Sequence, residues 1–115
     1  MAKKHRARVS FGQALQHIYH FHPGIPGTHA IRIADRVCAK GWEDATLGAM
    51  VGISMSTYVR HTLTDYEFLM SQGVHRNDAR ARVAARHQEV IDAWAWGPPP
   101  QVKLTVDAYE LSFSG

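Results

Sequence analysis

The sequence carries a single cysteine, Cys38, among its 115 residues. One thiol excludes an internal disulfide, and such sparing use of cysteine fits a reducing compartment. No apolar run approaches the roughly 20 residues needed to span a bilayer. The start, "MAKKHRARVSF", lacks the apolar centre of a secretory signal. The chain therefore reads as cytoplasmic, with no membrane partner. Internal repeats and low-complexity segments are missing. So are the catalytic signatures: no nucleophile elbow, no Gly-rich phosphate loop and no His-Glu-x-x-His. Asp65 with Glu67 is too sparse for a metal-dependent nuclease, which gathers several carboxylates around its ions.

What is present describes one small domain. Apolar residues make up 45% and charged residues 20%, an ordinary soluble balance that speaks against wholesale disorder. A chain of this length builds a single modest core. The formal charge is +3 with eight histidines in reserve, which permits an anionic partner without demanding one. The distribution is more telling than the sum. Positions 1–9 hold Lys3, Lys4, Arg6 and Arg8 and no acid. This is a flexible basic arm able to reach phosphates, or a solubilising tail.

Periodicity beyond the arm is mostly helical. Ser10 can cap "FGQALQHIYHF", which ends at "HPGIPG", where Pro23 and Pro26 remove backbone donors. Thr28 can cap "HAIRIADRVCAK", whose apolar face is Ile31, Ala34, Val37 and Cys38, with Gly41 as its stop. A third helical region runs from near Asp44 toward Gln72 and stops at Gly73. A fourth, from about Asn77 to Ala95, sets Ala79, Val83, Val90, Ile91 and Trp94 on one stripe before "GPPP" breaks it. The tail "QVKLTVDAYELSF" alternates as a strand or hairpin does. The expected fold is mainly α, a small bundle of about four helices over 10–96. A Pro-initiated β tail follows over 97–115, in need of a packing partner or a second subunit.

The third region admits two readings. Leu47, Met50, Val51, Ser54, Met55, Tyr58 and Thr62 can form the buried stripe of one long helix. Alternatively, residues 46–63 are a helix-turn-helix, turning at Gly52-Ile53, with Ser54 capping a recognition helix. Met55, Ser56, Thr57 and Arg60 would then face the major groove. Further on, Thr64 and Asp65 are poor mid-helix residues and good caps, so a bend or fresh helix start is expected there. "TDYE" fits a capping box from Thr64 to Glu67. Tyr66 can bury its ring while its hydroxyl finds a partner. Asp65 or Glu67 is a candidate mate for Arg80 at the edge of the apolar stripe.

The stretch "YVRHTLTDYEFLMSQGVHRNDARARV", followed by "EVIDAW", resembles the domain of unknown function 2293 family. The matching positions are Arg60, His61, Thr64, Tyr66, Leu69, Gly73, Arg76, Ala79, Arg80 and Trp94. Upstream, "LQHIYHFHPGIP" is similar to that family's helix and Pro-containing turn, so the resemblance covers roughly Leu15 to Trp94. Two departures stand out. Tyr58 occupies a position where a histidine is expected, and the segment around Gly41 to Asp44 is short. The resemblance implies no established activity.

His17, His20 and His22 invite a metal reading, but only His17 and His20 share a helical face, and confirmed zinc sites are more tightly spaced. No metal and no cofactor are expected. The leading expectation is a small non-catalytic protein that binds nucleic acid, DNA foremost. Its contacts would be Lys3, Lys4, Arg6, Arg8, Ser56, Thr57, Arg60, His61, Arg82 and Arg86. The alternative is a protein-interaction or homodimerisation module using the C-terminal strand with Trp42, Trp94 and Trp96 as anchors. A third reading is a cryptic nuclease-like enzyme built on Arg60, His61 and Tyr66.

Overall fold

The computed structural model describes residues 6–98, with side chains from residue 8 onward. Lys3, Lys4 and the expected C-terminal strand lie outside the described residues. The elements in chain order are β1 (Arg6–Ala7), α1 (Phe11–Phe21), α2 (Gly27–Ala39), β2 (Trp42–Glu43), α3 (Leu47–Leu63), α4 (Tyr66–Ser71) and α5 (Arg76–Trp96). The architecture is mainly α. Its one β feature among the described residues is a minimal antiparallel pairing, Arg6 opposite Glu43 and Ala7 opposite Trp42. Among those residues no helix is long and apolar enough to cross a membrane.

Local chemistry accounts for most helix ends. Ser10 caps α1 as a capping box: its Oγ accepts from Gln13 N and its own N–H donates to Gln13 Oε1, both at 3.1 Å. Thr28 does not cap α2. Pro26 does, through backbone alone, because its fixed φ of −62° leads straight into the helix and its carbonyl accepts from Ala30 N. Between these helices the chain passes α5 closely. Gly24 N–H donates to the Trp94 carbonyl at 2.8 Å. A Cβ on Gly24 would stand 2.9 Å from the Ala93 carbonyl oxygen, so only glycine lets the two backbones meet there.

The helix-turn-helix is not formed. Thr46 caps α3, its Oγ1 accepting from Ala49 N, and the helix runs unbroken through Gly52 and Ile53 to Leu63. Packing decides this. Met50, Val51, Ser54, Met55, Tyr58 and Val59 are all buried, and their i, i+1, i+4, i+5 spacing is one continuous face that a turn at 52–53 would split.

A fresh helix does start after Thr64, which raises the number of helices among the described residues to five. The expected capping box is absent. Thr64 Oγ1 donates to the Arg60 carbonyl, which α3 leaves open, and accepts from Tyr66 N at 3.2 Å. Glu67 turns toward His61 instead of the backbone. Gly73, at φ +89°, ends α4 with Val74 N bonded to the Leu69 carbonyl and Gly73 N to the Met70 carbonyl. His75 then caps α5, its Nδ1 accepting from Asn77 N at 3.2 Å.

Two apolar clusters result. The main core draws on α1, α2, α3 and the C-terminal half of α5, centred on Ile18, Ile25, Ile33, Val37, Val59 and Trp94. A satellite cluster of Tyr66, Ala79 and Val83, with Leu69, Met70 and Val74 packed against it, joins α4 to the N-terminal half of α5. Helix α5 thus belongs to both.

Candidate nucleic-acid interface

The expected site residues divide into three groups. Lining a cleft of about 380 Å³ between α2 and α3 are Arg36 from α2, Lys40 just past its end, Trp42 from β2, and Ile53, Ser54 and Thr57 from α3. Among the described residues its lining includes two cations and no acid. Arg36 and Lys40 are four residues apart near the C-terminal end of α2, where the macrodipole favours positive charge. Lys40 Nζ lies 4.4 Å from the centre of the Trp42 ring, and Trp42 Nε1–H donates to the Val37 carbonyl at 3.0 Å, which fixes the ring as the cleft's end wall. The backbone of the basic arm is tied to this same residue, since Ala7 pairs with Trp42. Arg8 is exposed next to the pairing.

The second group surrounds Arg60, three residues along from Thr57 on α3. Arg60 Nη2 donates to Ser56 Oγ at 3.4 Å, and its guanidinium sits 5.9 Å from the centre of the Tyr66 ring. On α5, His87 Nε2 lies 3.0 Å from the Ser56 carbonyl and 3.2 Å from its Oγ. A carbonyl only accepts, so this Nε2 carries its hydrogen and cannot take a proton from Ser56. The Ser56–His87 contact is therefore a strut between α3 and α5, not a nucleophile with its base. His61 meets the Tyr66 ring edge-on at 5.0 Å, and its Nδ1 is 2.9 Å from Glu67 Oε1. The structure thus gathers Arg60, His61 and Tyr66, but around a tyrosine ring that is 2% exposed.

The third group is on α5. Arg82 and Arg86 are exposed, and Arg86 pairs with Glu89 at 2.9 Å. Arg80 is also exposed, and among the described residues no ion pair joins it to Asp65 or Glu67. Glu67 is engaged by His61, six positions away, which short-range spacing did not suggest. Sequence reasoning also passed over Arg36, Lys40 and His87. A signal existed for each: two cations at i, i+4 in a last helical turn, and a histidine four residues after buried Val83.

The tryptophan anchors need correcting. Trp42 and Trp94 are each 6% exposed and belong to the core; Trp96 alone is open, at 85%. Among the described residues, no three His, Cys, Asp or Glu side chains come together in a way that could hold a metal. His17 and His20 pack against Phe21. Cys38 is half-buried, and burial, with Asp35 adding to it, pushes its thiol above the usual range, which keeps it protonated.

Burial also lowers the pKa of two histidines from their ordinary 6.5: His29, with Arg32 reinforcing the effect, and His22, with His17 reinforcing it. His29 Nδ1 is 2.7 Å from the Tyr58 hydroxyl, and its ring stacks on Trp94 at 5.5 Å. A neutral ring can accept from that hydroxyl; a protonated one cannot. Because the folded values are depressed, the unfolded chain binds more protons below about pH 6.5, and stability there falls with pH. The melting temperature is accordingly expected to drop between pH 7.5 and pH 5.5. His29→Gln should shrink that drop, and an equal drop in the variant would assign it elsewhere.

With this geometry in place, comparison with known proteins identifies the family. Residues 17–95 match the family described as "Uncharacterized conserved protein (DUF2293)", and the chain belongs to it. No curated protein and no solved structure shows significant similarity.

Proposed function

We propose that this member of the DUF2293 family is a small non-catalytic nucleic-acid-binding protein. One observation carries the reading: a cleft lined by Arg36, Lys40 and Thr57, with no acid in its lining among the described residues, has the basic N-terminal segment paired to its end wall at Trp42. Phosphate contacts ask for this combination of cations, a hydroxyl and a tethered basic segment. Arg60, braced by Ser56, extends the cationic surface along α3. The nuclease-like reading is weaker, because Glu67 already holds His61 and the Tyr66 ring is buried.

The test is fluorescence anisotropy with a random-sequence DNA duplex over a series of salt concentrations. Each phosphate neutralised adds about −0.9 to the slope of log affinity against log salt, so the double variant Arg36→Ala, Lys40→Ala should flatten it by nearly 2. Deleting residues 1–5 should flatten it further through Lys3 and Lys4. Absence of binding at low salt by the unaltered chain would overturn the proposal.

A second reading rests on Trp96, an 85% exposed indole at the end of α5 and next to the alternating tail. Such a residue suits a protein–protein contact, including a homodimer through a C-terminal strand. Sedimentation of the unaltered chain and of Trp96→Ala distinguishes it: a dimer that dissociates in the variant supports it, and a monomer in both removes it.

A further inference from the structure

We infer that the N-terminal half of α5 is a groove-binding element, and that the nucleic acid it takes is double-stranded DNA entered from the major groove. The inference rests on the nucleic-acid reading above and names its substrate class and binding mode. Between Arg76 and Arg86 only Ala79 and Val83 are buried, and they belong to the satellite cluster under α4; every other residue of that stretch is exposed. The helix therefore presents most of its circumference while one narrow stripe holds it down.

The charged residues on that circumference are ordered. At about 100° per residue, Arg76 and Arg80 fall on one flank of the buried stripe and Arg82 and Arg86 on the other. The crest between the flanks, opposite the stripe, is Asn77, Ala81, Ala84, Ala85 and Gln88, with Asp78 at its edge between Ala85 and Arg82, all exposed. Four arginines against one acid in the same stretch, Asp78, make this the most strongly cationic part of the described chain. Beyond it Glu89 pairs with Arg86, and Asp92 with Gln88, so the positive surface has a defined end.

Dimensions favour a duplex. A helix with its side chains is about 10–12 Å across, and the B-form major groove is about 12 Å wide. An alanine crest lets the helix axis approach the groove floor, with Asn77 as an amide able to address base edges. Arginines on both flanks can reach the phosphates of both strands, which a single row could not. The stretch from Arg76 to Arg86 is about 15 Å long, the scale over which a groove follows a straight helix. An RNA duplex offers a deep, narrow major groove that does not admit a helix. Ser56 and His87 hold the middle of α5 to α3, so the projecting half is presented on a fixed support.

The experiment compares three probes of one sequence by anisotropy: a 20-bp DNA duplex, the matching RNA duplex and single-stranded DNA. The DNA duplex is expected to bind about tenfold more tightly than the RNA duplex. Ala81→Glu with Ala85→Glu, both exposed and compatible with a helix, should weaken the DNA duplex about tenfold or more while helicity by circular dichroism and melting temperature stay unchanged. Equal affinity for the two duplexes, or an intact affinity in this variant, would overturn the α5 inference. If the Arg36→Ala, Lys40→Ala variant still lost affinity in that case, the broader nucleic-acid reading would stand. Should none of the three probes bind, both fall.

Discussion

Replacing Trp94 with alanine is expected to cost about 3–5 kcal/mol, the range for emptying an aromatic site in a packed core. Trp94 is 6% exposed in the main cluster, and its ring stacks on His29 at 5.5 Å with an interplanar angle of 28°. Its position is also a backbone joint, since its carbonyl accepts from Gly24 N, where the turn after α1 touches α5. The cavity would open where α5 meets both α2 and the 22–25 turn. Relaxation into that cavity is limited, because Gly24 already brings the two backbones as near as they can come. A domain of this size has about 5–15 kcal/mol in all, so the variant should unfold at a much lower urea concentration. The measurement is equilibrium denaturation, with the slope compared to detect a change in the unfolded state. A loss below about 1 kcal/mol would mean the indole packs far less tightly than its burial indicates.

Tyr66→Ala should be of similar size, about 3–5 kcal/mol, but its effect should be spatially uneven. Tyr66 is the largest member of a satellite cluster whose other buried residues are Ala79 and Val83. Without the ring, α4 and the first half of α5 lose most of the apolar surface that joins them. Arg60 and His61, which pack on that ring at 5.9 and 5.0 Å, lose their platform. Amide exchange is therefore expected to accelerate across α4 and residues 76–86 well before α1 and α2 are affected. Uniform acceleration across the chain would show that the two clusters unfold as one. Tyr66→Phe is expected to fall within about 0.5 kcal/mol of the parent, because the cluster around Tyr66 is apolar: Ala79, Val83, Leu69, Met70 and Val74. The ring does the packing. Together the two substitutions separate apolar burial from hydroxyl bonding at one site, and they bear on function: if the first half of α5 enters a groove, loosening it through Tyr66→Ala should weaken duplex binding, whereas Tyr66→Phe should not.

Much of this molecule was legible in short stretches of sequence. The start of α1 at Ser10, the stop at "HPGIPG", the glycine that ends α4 and the buried stripe of α5 each depend on residues within a few positions of one another. Capping, turn geometry and the 3.6-residue repeat act over that same distance, so a linear reading captures them. The family resemblance, carried by Arg60 through Trp94, was legible for the same reason. The third region shows the limit. Its sequence fits both a long helix and a helix-turn-helix, and the choice fell to the partners of Met50, Val51, Met55 and Tyr58, which come from other helices. The pairings that make up the candidate site lie further out of reach. Ser56 meets His87 across 31 positions, and His29 meets Tyr58 across 29. Ala7 reaches Trp42 only because the chain between them folds into two packed helices. Such contacts are set by how helices cross, and crossing depends on the relief of several side chains at once, which no repeat along a single helix encodes. By itself, then, the sequence determined that the domain is small, basic and mainly helical, that α1 starts at Ser10 and that α4 stops at Gly73. Tertiary packing alone decided that Glu67 holds His61, that α3 is continuous, and that the basic segment is tied to the rim of a cationic cleft.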